Sequence, residues 1–85
     1  MNPLRAVRQA EGLTLPQMAQ SLGIPYASLN VVELGYPGSI SPRVMQALAG
    51  AGYDAEASQR RYIEWRAEAG RQVRQAKQAA ALAVA

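Results

Sequence analysis

Proline and glycine divide the first 52 residues into four short segments, each opening on a proline and closing on a glycine. They run from Pro3 to Gly12, Pro16 to Gly23, Pro25 to Gly35, and Pro42 to Gly50 and Gly52. Proline is tolerated in the first turn of a helix, where its missing N–H would have had no partner, and glycine supplies the backbone that ends one. Segments bounded in this order predict successive helices, and no strand pattern competes with them.

The residues inside the segments agree. Asn2 caps the first, in which Leu4, Val7 and Ala10 recur at helical spacing. Thr14-Leu15-Pro16-Gln17 fits the Thr-x-x-Gln capping box, and Leu15, Met18, Ala19 and Leu22 form one apolar face ending at Gly23. After Ile24-Pro25, Leu29 and Val32 share a face, and Tyr36-Pro37-Gly38-Ser39 reads as a loop. Ser41 caps a fourth helix carrying Val44, Ala47, Leu48 and Ala51. Asp54 opens a last segment with no proline through Ala85, whose basic Arg71, Arg74 and Lys77 follow its acidic residues, as the helix dipole favours. Gly70 is its weak point, at about 1 kcal/mol relative to alanine. Six of the eleven residues from Gln75 are alanine, so this end is expected to fray. The expected organisation is an all-α domain of four to five helices over residues 1–53, followed by a C-terminal helix over 54–85.

At 85 residues a single core leaves a thin stability margin, which a partner subunit would reinforce. The absence of cysteine and histidine excludes disulfides, thiolate chemistry, Cys/His zinc sites and imidazole catalysis. Glu11, Glu33, Glu64 and Glu68 have no accompanying nucleophile or metal motif and read as helix-surface carboxylates. No catalysis, metal, cofactor or small-molecule ligand is expected. Pro3 and Arg5 interrupt any signal-peptide pattern, and no stretch approaches the ~20 apolar residues of a membrane span, so the expectation is cytoplasmic. The net charge of +3 and pI of 9.8 suit a polyanionic partner. Residues 1–53 hold three arginines against two glutamates, and residues 54–85 six basic against four acidic side chains. Charge alone makes nucleic acid plausible and no more.

The second and third helices, joined at Gly23, form a pair that crosses steeply. Ala19 is small where the partner helix approaches, and Met18, Leu22, Ile24, Leu29 and Val32 fill the angle. The chain here resembles the xenobiotic-response-element family of helix-turn-helix proteins, the group of the phage Cro and lambda repressors and many plasmid regulators. The resemblance spans about residues 4–52. It rests on Leu4-Arg5-x-x-Arg8, Gly12-Leu13-Thr14, Met18-Ala19-x-x-Leu22-Gly23-Ile24, Ser28-Leu29-x-x-Val32-Glu33-x-Gly35, and Pro42 followed by Val44-x-x-x-Leu48-Ala49.

The resemblance implies a lambda-repressor-like fold and a dimer that binds double-stranded DNA at a palindromic operator, repressing transcription by excluding polymerase. It implies a bacterial cytoplasmic protein, nucleoid-associated when bound, of phage or plasmid type. Arg8 and Glu33 match a characteristic inter-helix ion pair; the alternative is that both are solvated. The third helix would lie in the major groove with Tyr26, Ala27, Asn30 and Val31 at base edges, Asn30 toward adenine and Ala27 and Val31 toward thymine methyls. Arg5, Thr14, Leu15, Ser28 and Arg43 are the phosphate candidates. Two departures stand out: the family often has glutamine where Leu15 stands, and residues 24–34 contain no lysine or arginine. The apolar Tyr26, Val31 and Leu34 also suit a protein-binding module, such as an antitoxin or a phage assembly or packaging component.

The last helix would be ~46 Å long, against a radius of gyration of ~10 Å for the preceding core, so part of it must project or find a partner. Tyr62, Trp65, Ala69, Val73, Ala76 and Ala80 form a stripe. In one arrangement Ile63 packs inward near Leu48 and leaves Tyr62, Trp65, Ala69 and Val73 for a second subunit. In the other, Trp65 covers its own core and the alanine-rich end is disordered. Arg60, Arg61 and Arg66 suit either, as solvated residues or phosphate contacts.

Overall fold

Five helices follow the segmentation set by proline and glycine: α1 (Pro3–Ala10), α2 (Leu15–Leu22), α3 (Tyr26–Leu34), α4 (Pro42–Gly50) and α5 (Ala55–Val84). The computed structural model describes the backbone of residues 1–84 and the side chains of residues 1–82. Among them there is no strand, and no helix is long and apolar enough to cross a membrane. Four side chains cap the helix starts, each accepting from a backbone N–H: Asn2 from Leu4, Thr14 from Gln17, Ser41 from Val44 and Asp54 from Ala57. Gln17 returns the bond to the Thr14 N–H and completes the capping box. Gly23 and Gly35 end α2 and α3 in the left-handed conformation, with φ of 68° and 80°.

The core gathers one or two residues from each element: Leu4, Met18, Ala19, Leu29, Val32, Ile40, Val44, Leu48 and Tyr62. Leu15, Leu22 and Ile24 pack against its edge. Burying side chains of this size contributes about 1.5–3 kcal/mol each, enough for a small domain only because every helix takes part.

Two assignments in α5 are reversed. Ile63, expected inward beside Leu48, is 46% exposed, whereas Tyr62, expected at a partner, is fully buried. The difference is one residue, or 100° around the helix, and polar bonds settle it. The Tyr62 hydroxyl donates to the Pro37 carbonyl at 2.7 Å. One turn earlier, the Gln59 amide accepts from the Ile40 N–H at 2.8 Å and donates to the Ile40 carbonyl at 3.1 Å. An isoleucine can do neither, so the tyrosine faces the loop after α3. The core therefore continues past Tyr53 into α5, and a chain cut after Gly52 would lose Tyr62 from its interior.

Trp65 lies over Gly35. A Cβ on that glycine would sit 2.6 Å from the indole Cη2 and 2.9 Å from Cζ3. Glycine is thus required both by the positive φ and by the ring above it. Gly35→Ala should cost at least ~1–3 kcal/mol in urea unfolding, and Trp65→Leu in the same chain should recover part of that loss. Full additivity of the two changes would show that the indole does not press on this turn.

Burial pushes the Tyr62 phenol pKa up. An unfolded tyrosine ionises near pH ~10 and the folded one later, so this contribution is complete below pH ~10 and is lost as pH rises through the window above it. The fall in stability above pH ~10 should shrink in Tyr62→Phe. A remainder should persist because the bond to Glu11 also raises the Tyr53 pKa. An unchanged alkaline slope in Tyr62→Phe would refute the assignment.

Candidate functional site

One face of α1 and the end of α3 are joined by a polar network around a buried carboxylate. Glu33, 3% exposed, accepts from Arg8 Nε at 3.1 and 3.0 Å and from Arg8 Nη2 at 2.8 Å. Arg8 and Glu33 therefore pair, and the solvated alternative does not occur. The bond to Glu33 raises the Arg8 pKa, which keeps the guanidinium charged. Its Nη1 donates to the Leu13 carbonyl at 3.0 Å, tying down the turn that leads to Thr14 and α2.

Two members of this network had no sequence signal. Asn2, beyond capping α1, donates from Nδ2 to the carbonyls of Val32 at 2.9 Å and Glu33 at 3.0 Å. Carbonyls in the last turn of a helix lack the usual i+4 partner, and although Val32 also accepts from the Gly35 N–H, the Asn2 side chain serves two helix termini at once. Arg5, expected at phosphate, donates from Nε to Glu33 at 3.4 Å while its side chain stays 43% exposed. Its charge is shared with Glu33.

With Leu29, Val32 and Glu33 turned inward, α3 presents Tyr26, Ala27, Val31 and Leu34 outward, with Asn30 and Ser28 half-buried. Of the four expected base-facing residues, Tyr26, Ala27 and Val31 thus lie together on the solvent side of α3, and Asn30 is half-buried at its edge. That face is uncharged. Thr14 is exposed at the start of α2 and Arg43 is exposed near the start of α4. The capping box occupies the N–H groups of Thr14 and Gln17, and Pro16 has none, so an anion at the start of α2 would meet the Leu15 N–H. Leu15 itself is half-buried against the core.

The stripe on α5 divides. Tyr62 belongs to the core, Trp65 and Ala69 are half-buried, and Val73 is 58% exposed. Leu34, Gly35, Trp65, Arg66, Ala69, Gly70 and Val73 line an open groove of about 420 Å³. Compared with protein-family models, curated proteins and solved structures, the chain matches none.

Removing Arg8 would leave a buried carboxylate without its main partner, whereas Arg5 is the more exposed and more distant of the two arginines. Arg8→Ala should cost ~3–5 kcal/mol and Arg5→Ala ~0–1 kcal/mol in denaturant unfolding. Equal losses would mean that the two arginines carry Glu33 jointly.

Proposed function

We propose that the chain is a sequence-specific double-stranded DNA-binding protein of the xenobiotic-response-element type, acting as a dimeric transcriptional repressor. The observation that carries this reading is the solvent face of α3. Tyr26, Ala27 and Val31 stand exposed together with the half-buried Asn30 beside them, on a helix held by the left-handed turn at Gly23 and the Arg8–Glu33 pair. A helix so presented fits a major groove, with Asn30 offering an amide to an adenine edge and Ala27 and Val31 offering methyl contact to thymine. Thr14, the Leu15 N–H, Ser28 and Arg43 flank it as phosphate contacts, and Arg5 contributes what charge Glu33 leaves. A repressor of this kind acts by occupying an operator that overlaps a promoter, and it needs no cofactor.

A second reading has its own observation. Tyr26, Val31, Leu34 and Tyr36 are 49%, 41%, 47% and 72% exposed, and no cation stands among the residues of α3. An uncharged, partly apolar face suits a protein partner, as in an antitoxin or an assembly component.

Footprinting and titration on selected duplexes separate the two. The expected result is protection of a two-fold symmetric site with half-sites about 34 Å apart. Asn30→Ala should lose ~1–3 kcal/mol mainly on the cognate site, whereas Arg43→Ala should weaken all duplexes alike and reduce the log–log salt slope by about 0.9. Equal, weak binding to every duplex would favour the protein-partner reading.

A further inference from the structure

Gly70 stands in the middle of α5, at a place where nothing in this chain requires a glycine. It costs the helix about 1 kcal/mol relative to alanine, yet a Cβ built on it would meet nothing nearer than Arg66 Nη1, 3.9 Å away. The space it leaves opens into the groove between the end of α3 and α5, whose apolar walls are Leu34, Trp65, Ala69 and Val73. From there the same side of α5 runs on uncovered, since every residue from Arg71 to Leu82 is exposed.

Arg66 is the one charged residue among the described residues that line the groove, and its donors are poorly used. Nη2 donates to the Tyr36 carbonyl at 3.5 Å, the buried Nε has no acceptor, and no carboxylate among the described residues pairs with the guanidinium. Lys77, further along α5, lies within about 20° of Arg66 around the helix and ~16.5 Å beyond it. The acids of this stretch, Glu64 and Glu68, stand two residues to either side of Arg66 and so lie about 160° away, where Glu68 bonds to Arg71. Glu33, at the end of α3, is buried and taken by Arg8 and Arg5. The groove side of α5 is therefore an apolar stretch between two cations, with no acid beside it.

We propose that this seat takes an acidic amphipathic helix of another protein, its apolar stripe against Leu34, Trp65 and Val73 and a carboxylate toward each end, one on Arg66 and one on Lys77. Small residues at Ala69, Gly70, Ala76 and Ala80 on that side let a helix lie close along α5. The Arg66 fork, with Nη1 over Gly70, matches a carboxylate and would gain the acceptor it lacks. A second copy of this chain does not complement the seat. The same side of a second α5 carries Arg66 and Lys77 and no acid beside them, so a parallel pair sets each cation against itself. An antiparallel pair centred between them sets Arg66 against Lys77, and like charges so placed repel. The proposal deepens the protein-partner reading by giving the partner a charge and a seat on α5. It does not rest on the nucleic-acid reading, so peptide and duplex titrations fail separately.

Trp65 is the only tryptophan, and its emission reports the seat directly. The probes are two alanine-based helical peptides of ~18 residues with one leucine stripe. One carries two glutamates about three turns apart beside the stripe, and the other carries lysines in their place. The glutamate peptide should shift Trp65 emission to the blue and bind the intact chain at micromolar concentration in low salt. Its affinity should exceed that of the lysine peptide at least ~10-fold, or ~1.4 kcal/mol. Arg66→Gln and Lys77→Gln should each weaken it at least ~3-fold, whereas Arg71→Gln, on the far side of α5, should not. Gly70→Leu fills the seat while improving helix propensity, so it should abolish binding with helical circular dichroism kept or raised. The mass of the free chain in light scattering should be unchanged by Gly70→Leu. Peptides that bind alike or not at all, or an Arg71→Gln loss equal to that of Arg66→Gln, would overturn the proposal. So would a dimer that Gly70→Leu dissociates, which would assign the groove to a second copy.

Discussion

A carboxylate taken out of water must meet cations and donors or lose its charge, and the end of α3 is built around that constraint. Glu33 stands at the penultimate position of α3, where the helix dipole is already negative. The compensation comes from one side of α1. Asn2, Arg5 and Arg8 recur every three residues, so the amide and both guanidinium groups face the same helix end. Leu4, between them, points into the core. The result is a fixed rotation of α3 about its axis: Leu29, Val32 and Glu33 inward, Tyr26, Ala27, Val31 and Leu34 outward. Whatever meets the outer face meets a surface whose orientation Glu33 has set.

A second fixing point lies where the chain leaves α3. The left-handed Gly35 brings the backbone under the Trp65 ring, Pro37 accepts from the Tyr62 hydroxyl, and Ile40 shares two bonds with the Gln59 amide. Three successive inward positions of α5 thus hold a loop that has no secondary structure of its own. The loop sets the rotation of α5 as firmly as the core does, and this is why Ala69 and Gly70, further along the same face, end in a groove beside Leu34.

The helices were legible in the sequence because their signals are local. Pro3, Pro16 and Pro42, the capping side chains and the closing glycines act within a turn of where they stand, and the helix boundaries follow them closely. The Arg8–Glu33 pair spans 25 residues and came from motif resemblance, since no periodicity relates the two positions. Ile40, Gln59 and the second role of Asn2 left no such trace. Each depends on a side chain reaching backbone in a distant segment, and backbone acceptors have no residue type to announce them. The reversal of Tyr62 and Ile63 has the same origin. Both are large enough for a core, and only the position of the Pro37 carbonyl distinguishes them.

The network also limits the charge left for binding. Arg8 is committed to Glu33, Arg5 partly so, and Arg71 bonds to Glu68. Arg43 alone remains exposed and unshared within residues 1–53, and Arg60, Arg61, Arg74 and Lys77 are exposed on α5. Each phosphate contact contributes about 0.9 to the salt slope of duplex binding, so under the proposed reading residues 1–53, with one unshared cation, would bind a duplex with a shallow slope. Under the proposed reading, discrimination between sequences would come from uncharged contacts at α3, where the Asn30 amide and the Tyr26 hydroxyl can each donate and accept. On that reading a single domain would have little to hold a duplex with, and joining two in a dimer would raise the effective concentration of the second at its half-site without any new cation.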